Sequence, residues 1–466
     1  MALVELEPLI ADLTAGIERA GDRGGRTLVS ATVPVEEADP CAVAFTSRLA
    51  REPWFCWEQP DRGFALGAIG SAASSVSRGS GRFGDVAADC ASLSSAALVS
   101  GAEGLPAGTG PVWTGGFAFA PDGGSEAQWA SFEPATMTLP EISLCRTGGQ
   151  AWLTANVVAG PGIDAEERLA GLAGRIASLR GGSLPMLAPV RSGRTEIRST
   201  RPPSEFESAV AEATRRIAGG GLSKVVLARE VVATAPAAHD VAALFGAQRE
   251  LFPSCFSFCC GTAQGAFVGA SPELLLRRSG ASLSTVALAG STRRSSDPAV
   301  DDHLGEQLLR SAKDRREHEI VARRIVRSLR RLAVWVQADP DPGLVKVANI
   351  QHLATPVVAQ LAEPRSAVEL AGLLHPTPAV GGEPWPQAGE AIEDLEQMDR
   401  GWYAGPVGWM DATEDGEFCV ALRSALIRDR EARLFAGGGI VEASDPAAEL
   451  AETEVKLGAL LPLLAE

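Results

Sequence analysis

Four segments near the C-terminus decide the fold: RGWYAGPVGWMD (400–411), FCVALRSAL (418–426), FAGGGIV (435–441) and SDPAAELAETEVK (444–456). The first segment contains the only tyrosine of the chain, Tyr403. In the second, Arg423 follows an apolar run, where an inward-facing guanidinium is costly unless an anion or a carboxylate meets it. This pattern is more typical of a binding site than of simple packing.

The fourth segment predicts a helix, because Asp445 is a good N-cap residue and Pro446 suits the first helical position. On that helix Glu449, Glu452 and Lys456 share one face. Such a face is either a solvated stripe of charges or part of a site. A second acidic pair upstream favours the site.

Composition excludes several classes of protein. The chain has 466 residues, 45% hydrophobic and 21% charged, with a formal net charge of −16. This charge argues against nucleic-acid binding and against an anionic membrane surface. The apolar runs are shorter than the ~18 residues of a membrane span, and the acidic N-terminus is unlike a signal peptide. The eight cysteines show no paired CxxC spacing, so we expect neither zinc nor disulfides, and a cytoplasmic protein.

The region from residue 55 onward consists of short apolar segments separated by Gly, Pro and Ser. This spacing predicts an antiparallel sheet with helices between its strands. A charged helix at 165–180 precedes a loop at 181–203 that is rich in Gly, Pro, Ser and Arg. That loop is either a domain boundary or an excursion inside one domain.

Two ionisable residues stand beside apolar segments. Ser204 and Glu207 predict a capping box for a helix that ends at Gly219, and the buried strand after it begins with Lys224. Glu273 interrupts a strand of leucines. Each residue either reaches solvent or, if buried, has a pKa shifted toward values that suit a general base or a general acid.

A long helix is predicted over 300–332, with Asp314 and Glu317 on the face that continues as Val321, Ile325 and Leu329. The two acids either join a surface ion-pair network or pair with the acids of the C-terminal helix. Two helices that each present an acidic pair suit a Mg²⁺ site, since Mg²⁺ prefers a few carboxylates, water and a substrate oxygen.

Ten motifs in this order resemble the chorismate-utilising enzymes: KVVLAR, ASPELLLR, ALAGST, SAKDRREHE, IQHLATPV, LHPTPAVGG, RGWYAGPVGW, ALRSAL, AGGGIV and ETEVK. They span residues 224–456, and weaker similarity extends back to about residue 55. The family includes isochorismate, salicylate, anthranilate and aminodeoxychorismate synthases, and the chain resembles the isochorismate synthases most.

The resemblance implies a single large α/β (α+β) domain in which two antiparallel sheets pack together with helices around them. The loop at 181–203 then lies inside that domain. We expect residues 1–54 to be an N-terminal segment integrated into the fold and residues 55–466 to be the catalytic domain, with a motif-dense core at 204–466.

The implied chemistry is the Mg²⁺-dependent conversion of chorismate to isochorismate. Water attacks C2, and the C4 hydroxyl leaves with allylic rearrangement. By resemblance, Lys224 is the base that activates water and Glu273 is the acid that protonates the leaving hydroxyl. Among the acids, Glu317 and Glu452 match direct Mg²⁺ ligands, and two others match carboxylates that hold metal-bound water: Asp314 and Glu449.

The resemblance also assigns residues to the substrate. Tyr403 and Arg423 match the pair that holds the enolpyruvyl carboxylate. Backbone groups come from Gly290, Ser291 and Gly439. The residues near the ring carboxylate and the metal are His352 and Lys456.

Two positions choose within the family. Anthranilate synthases usually have glutamine at the position of Lys224, and the lysine favours water over ammonia as the nucleophile. Salicylate synthases have a threonine where this chain has Ala379, another residue at the substrate, which favours stopping at isochorismate. The alternatives are a salicylate synthase, which goes on to eliminate pyruvate, and a non-catalytic chorismate-binding protein. A non-catalytic protein is expected to have lost some of the residues that match the base, the acid and the direct metal ligands, and this chain keeps all of them.

The family also indicates partners. Its ammonia-using members need a glutaminase subunit or domain, for which this chain has no sequence, so we expect no glutaminase subunit. We further expect a monomer whose product enters menaquinone, siderophore or other secondary-metabolite biosynthesis.

Overall fold

The computed structural model describes residues 5–187, 193–347 and 350–465. Within them lie twelve α-helices and two short 3₁₀ helices, Pro60–Arg62 and Ala127–Trp129. The α-helices are α1 (Leu6–Gly21), α2 (Pro40–Ser47), α3 (Arg82–Ser95), α4 (Ala165–Ala177), α5 (Pro203–Ala218), α6 (Val241–Leu251), α7 (Pro298–Arg310), α8 (Ala312–Leu329), α9 (Ala367–Leu374), α10 (Gln387–Glu396), α11 (Pro446–Leu457) and α12 (Leu461–Ala465).

The same residues form 23 strands: β1 (Thr27–Val35), β2 (Trp54–Gln59), β3 (Phe64–Ile69), β4 (Ala73–Ser77), β5 (Leu98–Ser100), β6 (Val112–Phe117), β7 (Ala135–Leu139), β8 (Ile142–Thr147), β9 (Gln150–Ala159), β10 (Glu196–Ser199), β11 (Lys224–Thr234), β12 (Phe256–Thr262), β13 (Gly265–Ser271), β14 (Leu274–Ser279), β15 (Ser282–Arg293), β16 (Ala333–Ala338), β17 (Gly343–Lys346), β18 (Ile350–Leu361), β19 (Gly382–Glu383), β20 (Pro406–Asp411), β21 (Gly416–Val420), β22 (Ser424–Arg428) and β23 (Glu431–Ile440).

The strands form two sheets. The first has 13 strands in the order β10-β11-β23-β22-β13-β12-β2-β3-β8-β9-β1-β5, with β19 paired to β11. The second has ten, in the order β16-β18-β15-β14-β21-β20-β6-β7-β4, with β17 paired to β18. Neighbours such as β11 and β23 run antiparallel, whereas β1 and β5 are parallel. The predicted fold class, one domain of two packed sheets with surrounding helices, is confirmed.

One apolar cluster contains side chains from both sheets. Phe258 and Phe267 of the first sheet and Phe117 and Phe418 of the second are all fully buried in it. Complete burial of a large apolar side chain stabilises the folded state by about 1.5–3 kcal/mol. This shared layer therefore holds the sheets face to face.

Two of the places where the chain passes between the two sheets lie next to each other, and we call them the seam. Pro272 and Glu273 connect β13 of the first sheet to β14 of the second, and residues 421–423 connect β21 of the second sheet back to β22 of the first. The Val420 amide donates to the Glu273 carbonyl at 3.0 Å, and the Ala270 amide donates to the Arg423 carbonyl at 3.1 Å. These bonds hold the two crossings side by side, and Glu273 and Arg423 line the same cavity.

Two predictions about helix ends are wrong. The long helix at 300–332 is two helices, because Ser311 has an extended backbone and its hydroxyl accepts a hydrogen bond from the Asp314 amide, which starts α8. The capping box at Ser204 does not form, since α5 begins two residues earlier than predicted, at Pro203, with Pro202 as the N-cap residue and no side-chain cap. By contrast, Asp445 caps α11 as predicted, with Pro446 in its first turn.

The N-terminal residues join the first sheet, because β1 pairs along its whole length with β9. The predicted division at residue 54 stays a prediction. In the loop at 181–203, β10 pairs with β11, and residues 188–192 lie outside the described residues. The described segments contain no helix that is both long and apolar enough to cross a membrane. Each of the eight cysteines is a buried free thiol.

Candidate active site

A cavity of about 760 Å³, including the part that opens to solvent, lies at the seam. Most of the predicted site residues line it: Glu273, Gly290, Ser291, Glu317, His352, Ala379, Tyr403, Arg423, Gly439, Glu452 and Lys456. The other three, Lys224, Asp314 and Glu449, lie directly behind this lining. The structure therefore brings together residues that are far apart in the sequence.

Lys224 is fully buried at the start of β11. Its Nζ lies 2.9 Å from Oε1 of Glu317 on α8, although the angles at the ammonium are not those of a hydrogen bond. The backbone of Gly439 on β23 closes the site from the other side, because a Cβ there would stand 2.1 Å from Oε1 of Glu317 and 2.8 Å from Cε of Lys224. Glycine is thus required at 439 by space.

Glu273 is 4% exposed and stands beside the cavity at the seam. Burial raises the pKa of its carboxyl to about 8, although the ammonium groups of Lys224 and Lys456 favour the charged form. A carboxyl group with this pKa holds its proton at neutral pH. It can then donate that proton inside the cavity.

The two acidic pairs lie on α8 and α11, and one acid of each pair, Glu317 or Glu452, lines the cavity. Burial, followed by repulsion from neighbouring carboxylates, raises the pKa of Asp314 and of Glu449, against the opposing effects of Ser311 and Lys313. Burial alone would raise the pKa of Glu452 too, but Lys456 and Ser291 lower it to about 2.

Each of the four acids has a polar partner, which is Lys224 for Glu317. Lys456 Nζ lies 2.8 Å from Oε1 of Glu452 and donates to the Gly437 carbonyl at 2.8 Å. The Ser291 hydroxyl also donates to Oε1 of Glu452, at 2.8 Å. Lys313 Nζ lies 2.7 Å from Oε1 of Glu449, and the Ser311 hydroxyl donates to Asp314. The group is an arrangement of hard oxygen donors held by surrounding cations and hydroxyls.

Arg423 also lines the cavity, on the second crossing of the seam. It is 8% exposed, and its Nη2 donates to Nε2 of His352 at 3.1 Å. Burial, followed by the neighbouring guanidinium, lowers the pKa of His352 to about 3, so its ring is neutral and accepts this bond. Within the described residues, Nη1 of Arg423 has no hydrogen-bond partner. A buried cationic group with a free donor at a cavity wall calls for an anion.

Comparison with known proteins identifies the family of this chain. A family model described as "Chorismate binding enzyme" matches residues 15–465. The chain belongs to this family. Its relatives include the "Salicylate biosynthesis isochorismate synthase" of Pseudomonas aeruginosa, 35% identical over 446 residues, which are 93% of this chain and 89% of the relative. They also include the "Isochorismate synthase MenF" of Bacillus subtilis, 36% identical over 355 residues, with 76% of this chain and 75% of the relative covered.

Solved structures agree with this assignment. The menaquinone-specific isochorismate synthase MenF of Escherichia coli superposes with a TM-score of 0.79 at 26% identity, covering 97% of this chain and all of that one. The predicted family is confirmed. The roles predicted for the individual site residues stay predictions.

Arg400 also lines the cavity, although the sequence did not single it out. It is fully satisfied: Nε donates to Glu396 at 2.9 Å, and its two Nη atoms donate to the carbonyls of Val380 and Val226 at 2.8 and 3.0 Å. The guanidinium also stacks 4.1 Å from the ring centroid of Phe119. The sequence does contain a signal for the pair of Arg400 and Glu396. Arg400 opens the RGWYAGPVGWMD motif, and an acidic helix ends four residues before it.

A second set of potential ligand atoms lies elsewhere in this chorismate-binding enzyme, at Asp39, Cys41 and Glu58. Both carboxylates are already engaged. Asp39 caps α2 and pairs with Arg249 at 2.6 Å, while Glu58 pairs with Arg249 and Arg146, each at 3.0 Å. This cluster is explained by ion pairs that bind α2 and α6 to the first sheet.

Proposed function

We propose that the chain is an isochorismate synthase, which converts chorismate to isochorismate by adding water at C2 with loss of the C4 hydroxyl. The observation that carries the proposal is that a buried glutamic acid, protonated at neutral pH, lines the cavity and a buried lysine lies directly behind the lining. Water addition with loss of a hydroxide needs one group that takes a proton and one that gives a proton. Lys224 and Glu273 fill those two roles.

The cationic wall of the cavity suits the enolpyruvyl carboxylate of chorismate. Arg423 offers its unpartnered Nη1, and its other nitrogen is fixed by His352. Tyr403, stacked on Phe435 with ring centroids 5.1 Å apart, has its ring held beside the same wall. Because the guanidinium and the imidazole fix each other, the donor is aimed before the substrate arrives, which lowers the entropic cost of binding.

The four carboxylates suit a Mg²⁺ ion, since they are oxygen donors that α8 and α11 bring to the same site, and the repulsion that raises the pKa of Asp314 and of Glu449 would be relieved by a cation. Glu317 and Glu452 would hold the ion, and Asp314 and Glu449 would hold its water. When bound, the ion would supply positive charge to the ring carboxylate of the substrate. In this proposal the protein's own residues carry out the proton transfers.

In its neutral amine form Lys224 takes a proton from the attacking water, and Glu273 donates a proton to the departing C4 hydroxyl. Glu273 lines the cavity, Lys224 lies behind its lining, and burial excludes bulk water from both. Gly439 leaves the space through which Lys224 and Glu317 approach each other. Ala379 lines the cavity without a hydroxyl of its own, which supports release of isochorismate rather than further elimination of pyruvate.

The relatives named for salicylate and menaquinone biosynthesis support a place at the entry to one of those routes. The chemistry proposed here is common to both. The proposed cofactor is Mg²⁺, and the reaction in this proposal requires no second subunit.

The decisive experiment incubates the purified protein with chorismate and Mg²⁺, with and without EDTA, and separates the products by chromatography. Isochorismate as the sole product, absent when EDTA is present, is the expected result. Salicylate with pyruvate would mean that the enzyme also eliminates the side chain. No conversion with water or with added ammonia would refute catalysis and support a binding protein.

A further inference from the structure

The second sheet ends in a strand whose outer edge is bare. β16 is the last strand in the sheet order, and within the described residues it pairs only with β18. After an irregularity near Val334, residues 335–338 pair regularly with 357–360. The opposite edge of β16 therefore presents backbone groups that can accept another strand.

This edge is unusually apolar for a surface. Trp335 is 47% exposed and Val334 is 70% exposed. Trp335 is the only exposed aromatic side chain among the described residues, whereas the other tryptophans are buried or partly buried. Natural edge strands usually carry lysine or proline that discourages pairing, and AVWVQA carries neither. An exposed tryptophan in an unprotected edge is typical of an interaction surface.

The charges at the two ends of β16 have opposite signs. Arg330 and Arg331 immediately precede the strand, and Asp339 and Asp341 immediately follow it; all four are exposed. Asp341 pairs with Arg315 at 3.0 Å, but its side chain is 78% exposed and such a surface pair is weak. The strand is thus flanked by two positive charges on one side and two negative charges on the other.

A second copy of the same strand complements this arrangement. In antiparallel pairing about a two-fold axis perpendicular to the sheet, facing residues lie on the same face, so their numbers differ by an even number. If Trp335 faces Trp335 of the second copy, residue 331 comes opposite 339, and if Val336 faces Val336, residue 331 comes opposite 341. Either register places the arginine pair of one copy beside the aspartate pair of the other. An isologous interface repeats every such contact twice.

We propose that two copies of this chain associate through β16, joining their ten-stranded sheets into one continuous sheet. The apolar side chains of the edge pack against their counterparts, and the four end charges of each copy set the antiparallel direction and the register. This assignment departs from the monomer that the family resemblance implies. It also places the contact away from the cavity, whose lining includes no residue of β16.

The test is sedimentation velocity of the full chain from low micromolar to submillimolar concentrations. The wild-type chain is expected to form a dimer. Trp335→Lys is expected to weaken the dimer at least tenfold, because it places a charge at the centre of the pairing. The matched control Leu49→Lys, at a residue that is 58% exposed outside this edge, is expected to leave the dimer unchanged.

Charge exchange tests the register independently. The double variants Arg330→Asp/Arg331→Asp and Asp339→Arg/Asp341→Arg are each expected to be monomeric, because like charges then meet at the ends. The fourfold variant is expected to regain the dimer, and so is an equal mixture of the two double variants. Circular dichroism melting confirms that each variant is folded.

Three results would overturn the proposal. The wild-type chain could sediment as a monomer at every concentration, which would leave the edge to a different partner. A dimer could persist in Trp335→Lys, which would place the contact elsewhere. The fourfold variant, folded, could fail to regain the dimer, which would exclude the antiparallel pairing.

Discussion

The role proposed for Glu273 can be tested by both stability and activity, because the raised pKa that suits it for catalysis also lowers the stability of the fold. Its carboxyl has a pKa of about 8 in the folded chain, against an ordinary value of 4.5. A group whose folded pKa is raised favours the protonated form, so between those two values the unfolded chain has lost a proton that the folded chain keeps. The free energy of unfolding therefore falls as pH rises from about 4.5 to about 8 and then levels off.

The magnitude follows from the two pKa values. Each pH unit in that window costs about 1.4 kcal/mol, so the full cost at pH 9 is about 5 kcal/mol, of which about 2 kcal/mol is already present at pH 6. Glu273→Gln keeps the size and polarity of the side chain and removes its ionisation. Relative to the wild-type chain, this variant is expected to gain about 3 kcal/mol of stability between pH 6 and pH 9.

Activity is expected to move in the opposite direction. The amide has no proton to give, so isochorismate formation should fall by about 10²–10⁴ in Glu273→Gln. In the wild-type chain kcat/KM should fall about tenfold for each pH unit above 8 as the acid ionises. Denaturant titrations at pH 6 and pH 9, together with initial rates, measure both effects. A stability difference that is the same at both pH values would refute the raised pKa, and near-normal activity in the variant would refute the acid role.

Three further predictions concern the walls of the cavity. Gly439→Ala should lower activity at least 100-fold, because its Cβ would stand 2.1 Å from Oε1 of Glu317. The control is Gly171→Ala in α4, which has open space around it and should keep full activity and gain about 0.5–1 kcal/mol of stability. Initial rates and thermal melts check both variants. Arg423→Gln should raise the Kd for chorismate about 10²-fold without loss of stability, because it removes a charge-assisted hydrogen bond that contributes about 1.5–3 kcal/mol. An unchanged Kd in equilibrium binding would show that the guanidinium does not bind the carboxylate. Glu452→Gln should weaken the binding of Mg²⁺ and of chorismate together in isothermal titration calorimetry, since one set of oxygens serves both; normal Mg²⁺ affinity would remove Glu452 from the metal site.

The sequence predicted best those features whose determinants are adjacent in the chain. Asp445 and Pro446 stand side by side, and together they start α11 where expected. The split between α7 and α8 was missed although a local signal exists, because Ser311 and Asp314 have the spacing of a helix cap, while the apolar periodicity of the region favoured one continuous helix. The proline pair at 202–203 displaced the expected cap at Ser204 in a similar way.

The seam could not be predicted from local pattern. Glu273 and Arg423 are 150 positions apart, and they line one cavity because two crossings between the sheets share backbone hydrogen bonds. Nothing in the residues around either position indicates that the two crossings pair, so placing both residues in one site depended on resemblance to a family. The raised pKa of Glu273 has the same origin, because it follows from burial by strands of both sheets.

The two buried arginines of the cavity show how a structural cation differs from a binding one. Arg400 is joined to a carboxylate, two carbonyls and an aromatic face, so its charge is compensated inside the protein and it has nothing left to offer a ligand. Among the described residues, Arg423 donates to a neutral imidazole and keeps a buried donor unsatisfied. In a chain with a net charge of −16, an uncompensated buried cation costs stability unless an anion completes it. This difference is why the proposed function assigns the anionic substrate to the unsatisfied arginine and a supporting role to the satisfied one.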